Sequence, residues 1–498
     1  MIYLKIINGD GVFRHHFCFL NGMIKIEKKF SEDYAMNIAM LDSDLRLKES
    51  FDLVGREIKV DKRNAKLYFV DGFCKDETMA KTMAYFMKAD EKTLKSCKTT
   101  RDFVNTFIPY VETDVVSGET EFIKSVLSGA IGMLVEGYPE AIVIDARTYP
   151  VRSVGEPEND RVLRGPHDGF VETLIFNTAL IRRRVRDTAL TMEIHSVGEK
   201  SKTDVVICFM QGRVNEKMLN TLRKKIDSIS INSLTMGQQS LIDCLVPKQW
   251  FNPFPKVRYT ERPDAVAASV LEGSMVVITD NSPAVMIIPS GIFDFLQDTN
   301  DYYMSPVIGS YMRIVRMLIF AMTMLLIPVW FLLVQNPDYI PEWLDFIRIE
   351  QPNSLPIVAQ LFIVEIVIDA IRLASINTPQ SLSGSFGVIG ALVLGEFAVS
   401  AGWFVAEVVL YMAFVAMTNF AQPSFELGYA FKLFRMLLIG LTALFNVWGF
   451  VAGILIAAVE IATTKTVTGQ CYLYPLIPFK GSALASLLLR KPLSKKNN

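Results

Sequence analysis

The chain lacks the residue patterns that commit a protein to the commonest soluble chemistries. Its six cysteines, Cys18, Cys74, Cys97, Cys208, Cys244 and Cys471, stand singly without Cys-x-x-Cys spacing, which argues against a structural zinc site or a disulfide framework. Histidine is scarce, and His15 and His16 form no metal-ligand spacing with His195, so no metal site is expected. Neither sign of charge is in excess. Fifty-one lysines and arginines face fifty-two acids, which provides neither a basic field for nucleic acid nor an acidic tail. Residues 1–20 are broken by Lys5, Asp10 and Arg14; without the continuous apolar core of a secretory signal, the head is expected to stay on the side where it is made.

What the chain does have is apolar residues, 51% of 498, and they are concentrated. Up to about residue 304 charges recur every few positions, whereas from Met317 onward long stretches have almost none. The length calls for two or three folding units. We expect a soluble α/β head of two subdomains, residues 1–120 and 121–305, then a polytopic α-helical transmembrane bundle over 312–464 and a basic cytoplasmic tail over 465–498. In the head, strands are expected at 65–70, 141–144, 204–210, 274–279 and 284–288, the last two joined by the turn Asp280-Asn281-Ser282-Pro283. Helices are expected at 77–88, 170–188 and 215–226.

The run 317–334 contains no charge and is long enough to cross about 30 Å of hydrocarbon at about 1.5 Å per residue. Pro328 within it should kink the helix rather than veto it. Further apolar blocks cover 355–373, 387–404, 405–420 and 436–461. Arg313 and Arg316 precede the first, and Lys480, Arg490, Lys491, Lys495 and Lys496 follow the last, so both ends are expected in the cytoplasm. The loop 335–354 carries Asp338, Glu342, Asp345 and Glu350 against Arg348, as an outer loop does. Five blocks cannot return the chain to its starting side. Either the last is two segments hinged near 446–449 or the glycine-rich third is re-entrant, which leaves four to six membrane segments.

Within the second block Glu365, Asp369 and Arg372 are spaced by four and three residues, which puts them on one helical face, able to pair or to line water. Gln360 lies nearby in sequence. The face reads either as an ion pathway or gate, or as a buried strut. Glu396 and Glu460 are further intramembrane acids. Gly384, Gly387, Gly390 and Gly395 imitate a phosphate loop but lack its Lys-Ser/Thr and lie in an apolar run; close helix packing accounts for them better. In the head, Arg164-Gly165-Pro166-His167-Asp168-Gly169-Phe170 with Glu172 is the densest motif. No serine or cysteine elbow accompanies His167 and Asp168, and a turn capping the following helix explains them better than catalysis. Arg182, Arg183, Arg184 and Arg186 read as a solvated or ion-paired face, or as a contact for anionic lipid headgroups.

The ordered motifs Glu156-Pro157, Arg164 to Glu172, Asn177, Leu180 to Arg184, Arg258-Tyr259-Thr260-Glu261-Arg262-Pro263-Asp264, Leu271-Glu272-Gly273, Asp280 to Pro283 and Gly390 to Gly395 resemble the GerA family, the A subunits of bacterial spore germination. The resemblance runs from about residue 103 to 478. Thr260 to Asp264 and Gly395-Glu396-Phe397-Ala398 are more similar to its stage V sporulation AF branch than to nutrient-receptor subunits; His167 stands where relatives commonly carry arginine. The resemblance implies a non-enzymatic, multi-pass subunit of the spore inner membrane that needs no cofactor. It further implies a homo-oligomeric ring that conducts ions among lipids and other germination membrane proteins. A nutrient-receptor A subunit and a non-conducting membrane scaffold are the alternatives.

Overall fold

The computed structural model describes residues 29–74, 76–87, 91–108, 112–147, 162–246, 251–349, 355–377 and 398–490. It divides into two compact units. The first holds α1 (Tyr34–Asp44), β1 (Leu53–Val60), β2 (Arg63–Val70), α2 (Asp76–Met87), α3 (Glu91–Ser96), α4 (Thr100–Phe107), β3 (Thr113–Val116), α5 (Glu119–Leu127), β4 (Ile131–Val135) and β5 (Ala141–Ile144). Its sheet order is β1-β2-β4-β5-β3. The side chain of Phe122 on α5 lies where a Cβ at Gly132 would stand, 2.4 Å away, so glycine there lets the helix settle on β4. The expected boundary at residue 120 falls inside this sheet. Because β4 pairs with β2 and β5 with β3, the first unit continues to Arg147.

The second unit begins with α6 (Leu174–Arg184), β6 (Leu190–Val197), β7 (Thr203–Met210), α7 (Glu216–Asp227), α8 (Gln238–Leu245), β8 (Arg258–Thr260), α9 (Pro263–Leu271), β9 (Met275–Thr279) and β10 (Val285–Ile288). The sheet runs β6-β7-β9-β10-β8, antiparallel throughout. Period-two alternation covers both of its faces. Val206, Cys208, Val276 and Ile278 pack with α6 and α9 on one side, while Val205, Ile207, Phe209 and Val277 pack with α7 and α8 on the other. The expected β9–β10 hairpin is present, with Asn281 at φ 61°, a conformation asparagine tolerates. Sequence reading missed β6 and β8.

The same unit continues through α10 (Asn300–Tyr303) and α11 (Pro306–Gln335) to α12 (Ile357–Asn377), α13 (Ala406–Phe420), α14 (Phe425–Thr463) and α15 (Gly481–Leu488). Two of these, α11 and α14, are long and apolar enough to cross a membrane. Only 33% and 22% of their apolar windows are buried within the chain, which is not how the core helix of a soluble protein is placed. α14 breaks at Asn446, whose φ of 51° and ψ of −132° are non-helical. A Cβ at Gly449 would stand 1.9 Å from the Leu441 carbonyl oxygen, and one at Gly453 would stand 2.6 Å from Leu438. The helix therefore doubles back as a hairpin about Asn446, one of the two arrangements the sequence left open. The block 387–404 lies largely outside the described residues.

The segment after α14 is not a loose tail. Lys465 bridges Cys471, Tyr472 is fully buried and donates to the Pro255 carbonyl at 2.7 Å, and Asn252 donates to Thr464 at 2.6 Å. Phe254, Phe295, Phe431, Phe434 and Tyr472 form one core cluster that joins the second sheet domain to α14. Lys491, Lys495 and Lys496 lie outside the described residues.

Candidate functional site

The face predicted on α12 lies in the interior of the helix bundle, and most of its partners are supplied by α14. Glu365 is 2% exposed. Its Oε1 accepts from Arg435 Nε at 2.8 Å and also from Nη2, while its Oε2 lies 3.0 Å from Lys432 Nζ. Lys432 reaches on to Asp369 at 2.6 Å, and Arg435 Nη1 donates to the Thr323 carbonyl of α11 at 2.7 Å. Two acids and two bases thus bind three helices together. Arg435 is 1% and Lys432 5% exposed, so each charge depends on its partners for compensation. Arg372 lies over the rings of Phe425 at 4.0 Å and Tyr429 at 5.1 Å, a cation–π arrangement that carries the charged face to the start of α14.

Polar groups extend the network. Thr323 and Thr418 hydroxyls are 3.1 Å apart, and Gln422 donates to Thr323 at 3.0 Å. The buried oxygens Asn419 Oδ1 and Gln422 Oε1 have no hydrogen-bond partner. A cavity of about 10 Å³ is lined by Glu365, Asp369, Arg372, Asn419, Lys432 and Arg435 among others, room for about one water molecule. Gln360, also fully buried, accepts from the Val405 backbone at 2.9 Å and so fixes the start of α12 to α13.

Glu365 and Asp369 of the expected face share Lys432, and the bases they meet come from α14. Sequence reading began its last apolar block at Met436, one residue beyond Arg435, and so missed both bases. Their signal was spacing: Lys432 and Arg435 stand three apart on the same helix, complementary to Glu365 and Asp369. Glu460 is elsewhere, near the end of α14, where it acts electrostatically on Lys256. Burial lowers the Lys256 pKa and Glu460 opposes that shift. Glu396 and the glycines Gly384, Gly387, Gly390 and Gly395 lie outside the described residues.

The head motif is a clasp. Asp168 accepts twice from Arg184 Nη2 at 2.6 Å, the Phe170 amide donates to Glu261 O at 2.8 Å, and Pro166 O accepts from Arg262 at 3.2 Å. Gly165, at φ 121°, sits so close to the Tyr303 ring that a Cβ would approach it to 2.7 Å. Glu172 O accepts from the Asn281 amide, and Asp280 caps Leu174 at the start of α6. A turn at the head of α6 was expected; the cap comes from the β9–β10 turn instead. The arginine run of α6 is turned inward at two of its positions. Arg182 is fully buried on Asp52 at 2.8 Å, and Arg184 is occupied by Asp168, which corrects the lipid-contact reading for both.

The chain matches the family described as Bacillus/Clostridium GerA spore germination protein over residues 42–498. It is 36% identical over 455 residues to stage V sporulation protein AF of Bacillus subtilis (strain 168), covering 90% of each chain. It is 27% identical to spore germination protein KA of the same organism, covering 93% of this chain and 85% of that one. Among solved structures, the N-terminal domain of the A subunit of the Bacillus megaterium spore germinant receptor GerK3 aligns with 52% of this chain and 96% of that one, at 20% identity and a TM-score of 0.41. With a family match that leaves out only the first forty-one residues, and a relative 36% identical over 90% of each chain, this chain belongs to the GerA family of spore germination proteins.

Proposed function

We propose that the chain is a multi-pass subunit of the spore inner membrane that assembles into a ring and conducts ions during germination. Its head is cytoplasmic. The observation that carries this reading is the Glu365–Arg435–Lys432–Asp369 network, buried among helices whose outward faces are apolar. Ionisable groups at such depth are costly and mark pathways or relays. Within one chain the cavity has room for only about one water, so conduction needs a rearrangement of the network or a neighbouring copy. Asp369 is the natural gate element, because its side chain is 34% exposed while Glu365 is 3% exposed. The near-complete pairing of Glu365 favours one rival, a non-conducting scaffold in which the charges act only as a strut. A second rival is an A subunit of a nutrient receptor, since relatives such as spore germination protein KA are named for germination.

Ion flux from liposomes containing the purified full-length protein separates these readings. Conduction predicts a leak that changes in Asp369→Asn while folding and insertion are retained. No leak above empty vesicles with correctly inserted wild type rejects the channel, and a wild-type leak unchanged in Asp369→Asn rejects Asp369 as its gate.

A further inference from the structure

Where α11 leaves the head, two arginines have buried nitrogens without acceptors. Arg313 is 5% exposed. Its Nη1 donates to Ser486 O at 2.9 Å and more weakly to Leu487 O at 3.4 Å, and its guanidinium lies 4.7 Å from the Tyr302 ring centre. Yet Nε and Nη2 are buried without a hydrogen-bond partner. The nearest acid, Asp301, is 3.6 Å from Nε, too far for a hydrogen bond, because its carboxylate is held by Arg316 at 2.6 and 3.1 Å. Glu272 acts on Arg313 electrostatically.

Arg490 stands beside it. Its backbone N–H donates to Ser310 Oγ at 3.0 Å, and its Cδ lies 3.0 Å from where a Cβ at Gly309 would be. Its Nη1 is also buried without an acceptor. Gly309 and Arg313 are four residues apart on α11 and so share a face. The Arg490 side chain at Gly309 and Arg313 thus lie along one face of α11, and three of their guanidinium nitrogens are buried and unpaired. Native structures seldom leave such donors empty without a water or ion to receive them.

We propose that Arg313 and Arg490 form a phosphate-binding site, filled by the headgroup phosphate of an anionic lipid in the leaflet facing the head. Planar guanidinium donors match phosphate oxygens in pairs, and a basic pocket at the cytoplasmic end of a membrane helix is where headgroups lie. The lipid is favoured over free phosphate by the surroundings: Val307, Tyr311 and Leu318 of the same helix are 80%, 64% and 59% exposed, and α11 is one of the two helices able to cross a membrane.

The test uses full-length protein in neutral detergent, followed by native mass spectrometry and thermal melting. Phosphatidylglycerol, phosphatidylcholine and inorganic phosphate are added separately. Phosphatidylglycerol should bind and raise the melting midpoint, with an apparent affinity about tenfold weaker in Arg490→Gln. Because Arg490 is only half-buried, this variant should fold even if Arg313→Gln does not. Full stabilisation by inorganic phosphate alone would assign the site to a free anion. Equal phosphatidylglycerol binding by wild type and Arg490→Gln, or none by either, would overturn the proposal and leave the nitrogens to ordinary water.

Discussion

Replacing Glu365 by glutamine removes one charge from the buried network and nearly preserves its shape. Lys432 and Arg435 then face a single carboxylate, Asp369, on the exposed side of the cluster. Removing one partner of a buried ion pair costs about 3–5 kcal/mol, chiefly because the other charge is left uncompensated. For a folding unit of this size about 1 kcal/mol corresponds to about 2–4 °C, so the purified full-length variant in detergent should melt roughly 6–20 °C below wild type. Neutralising the partner as well should restore most of that loss. In Glu365→Gln/Arg435→Gln one acid and one base remain, and Lys432 keeps Asp369 at 2.6 Å. The double variant should melt well above the sum of the two single effects, with a coupling of about 1–3 kcal/mol. If the effects of the single substitutions simply add, or if Glu365→Gln melts like wild type, the pairing has no energetic weight and both the strut and the pathway readings lose their basis.

Three further outcomes follow from the head and the hairpin. Asp52→Asn leaves the fully buried Arg182 guanidinium without its carboxylate, and chemical denaturation of the second unit should be easier by about 3–5 kcal/mol; a change under 1 kcal/mol would contradict that burial. Gly449→Ala drives a methyl into the Leu441 carbonyl oxygen 1.9 Å away, a backbone atom with no rotamer to yield, so folded yield should fall sharply; Gly440→Ala, whose nearest neighbour is 4.0 Å off, is the control and should leave it unchanged. At Asp264 burial works to raise the pKa, but hydrogen bonds from Arg262 and Tyr303 outweigh it and hold the carboxyl below its ordinary value. Its stabilisation is therefore complete above the unfolded-state pKa of about 4 and is lost as pH falls through the lower folded value. Tyr303→Phe should shift the acid unfolding midpoint upward in a circular-dichroism titration from pH 5 to pH 2, and an unmoved midpoint would count against the Tyr303 contact.

Local patterns were legible and non-local pairings were not. The turn Asp280 to Pro283, the apolar runs of β7 and β9 and the charge-free run of α11 each express their structure within a few residues. The boundary at residue 120 failed because β4 and β5 complete a sheet begun at Leu53, and strand pairing across seventy residues leaves no local trace. At Arg182 the sequence left a solvated face, an ion pair and a lipid contact open, and only the fold, which brings Asp52 to it, selects the ion pair. Lys432 and Arg435 were lost to the hydropathy criterion itself, which ends a membrane segment at charges that a buried counter-charge makes tolerable.

The hairpin carries one more consequence, for sidedness. Asn336, at the end of α11, and Asn446, at the break in α14, exchange side-chain hydrogen bonds of 2.6 and 3.0 Å, so both lie at the same end of the bundle. Exposed Tyr339, Trp343 and Phe346, and Trp448 beside the break, mark that end, as aromatic residues mark a membrane–water interface. Arg372 on Phe425, Asn252 on Thr464 and Tyr472 on Pro255 mark the other, against the head. α12 runs toward the head and α13 starts at the far end, where Val405 meets Gln360; α14 leaves the head and returns to it. Phe425 and Thr463, the two ends of α14, therefore lie at the same end of the helices. With the six native cysteines replaced by serine, Asn446→Cys should react with a membrane-impermeant maleimide from the side opposite the head, and Lys465→Cys only after the membrane is opened. Labelling of both positions from one side would mean that α14 does not cross the bilayer as a hairpin, and the membrane arrangement argued from it would have to be abandoned.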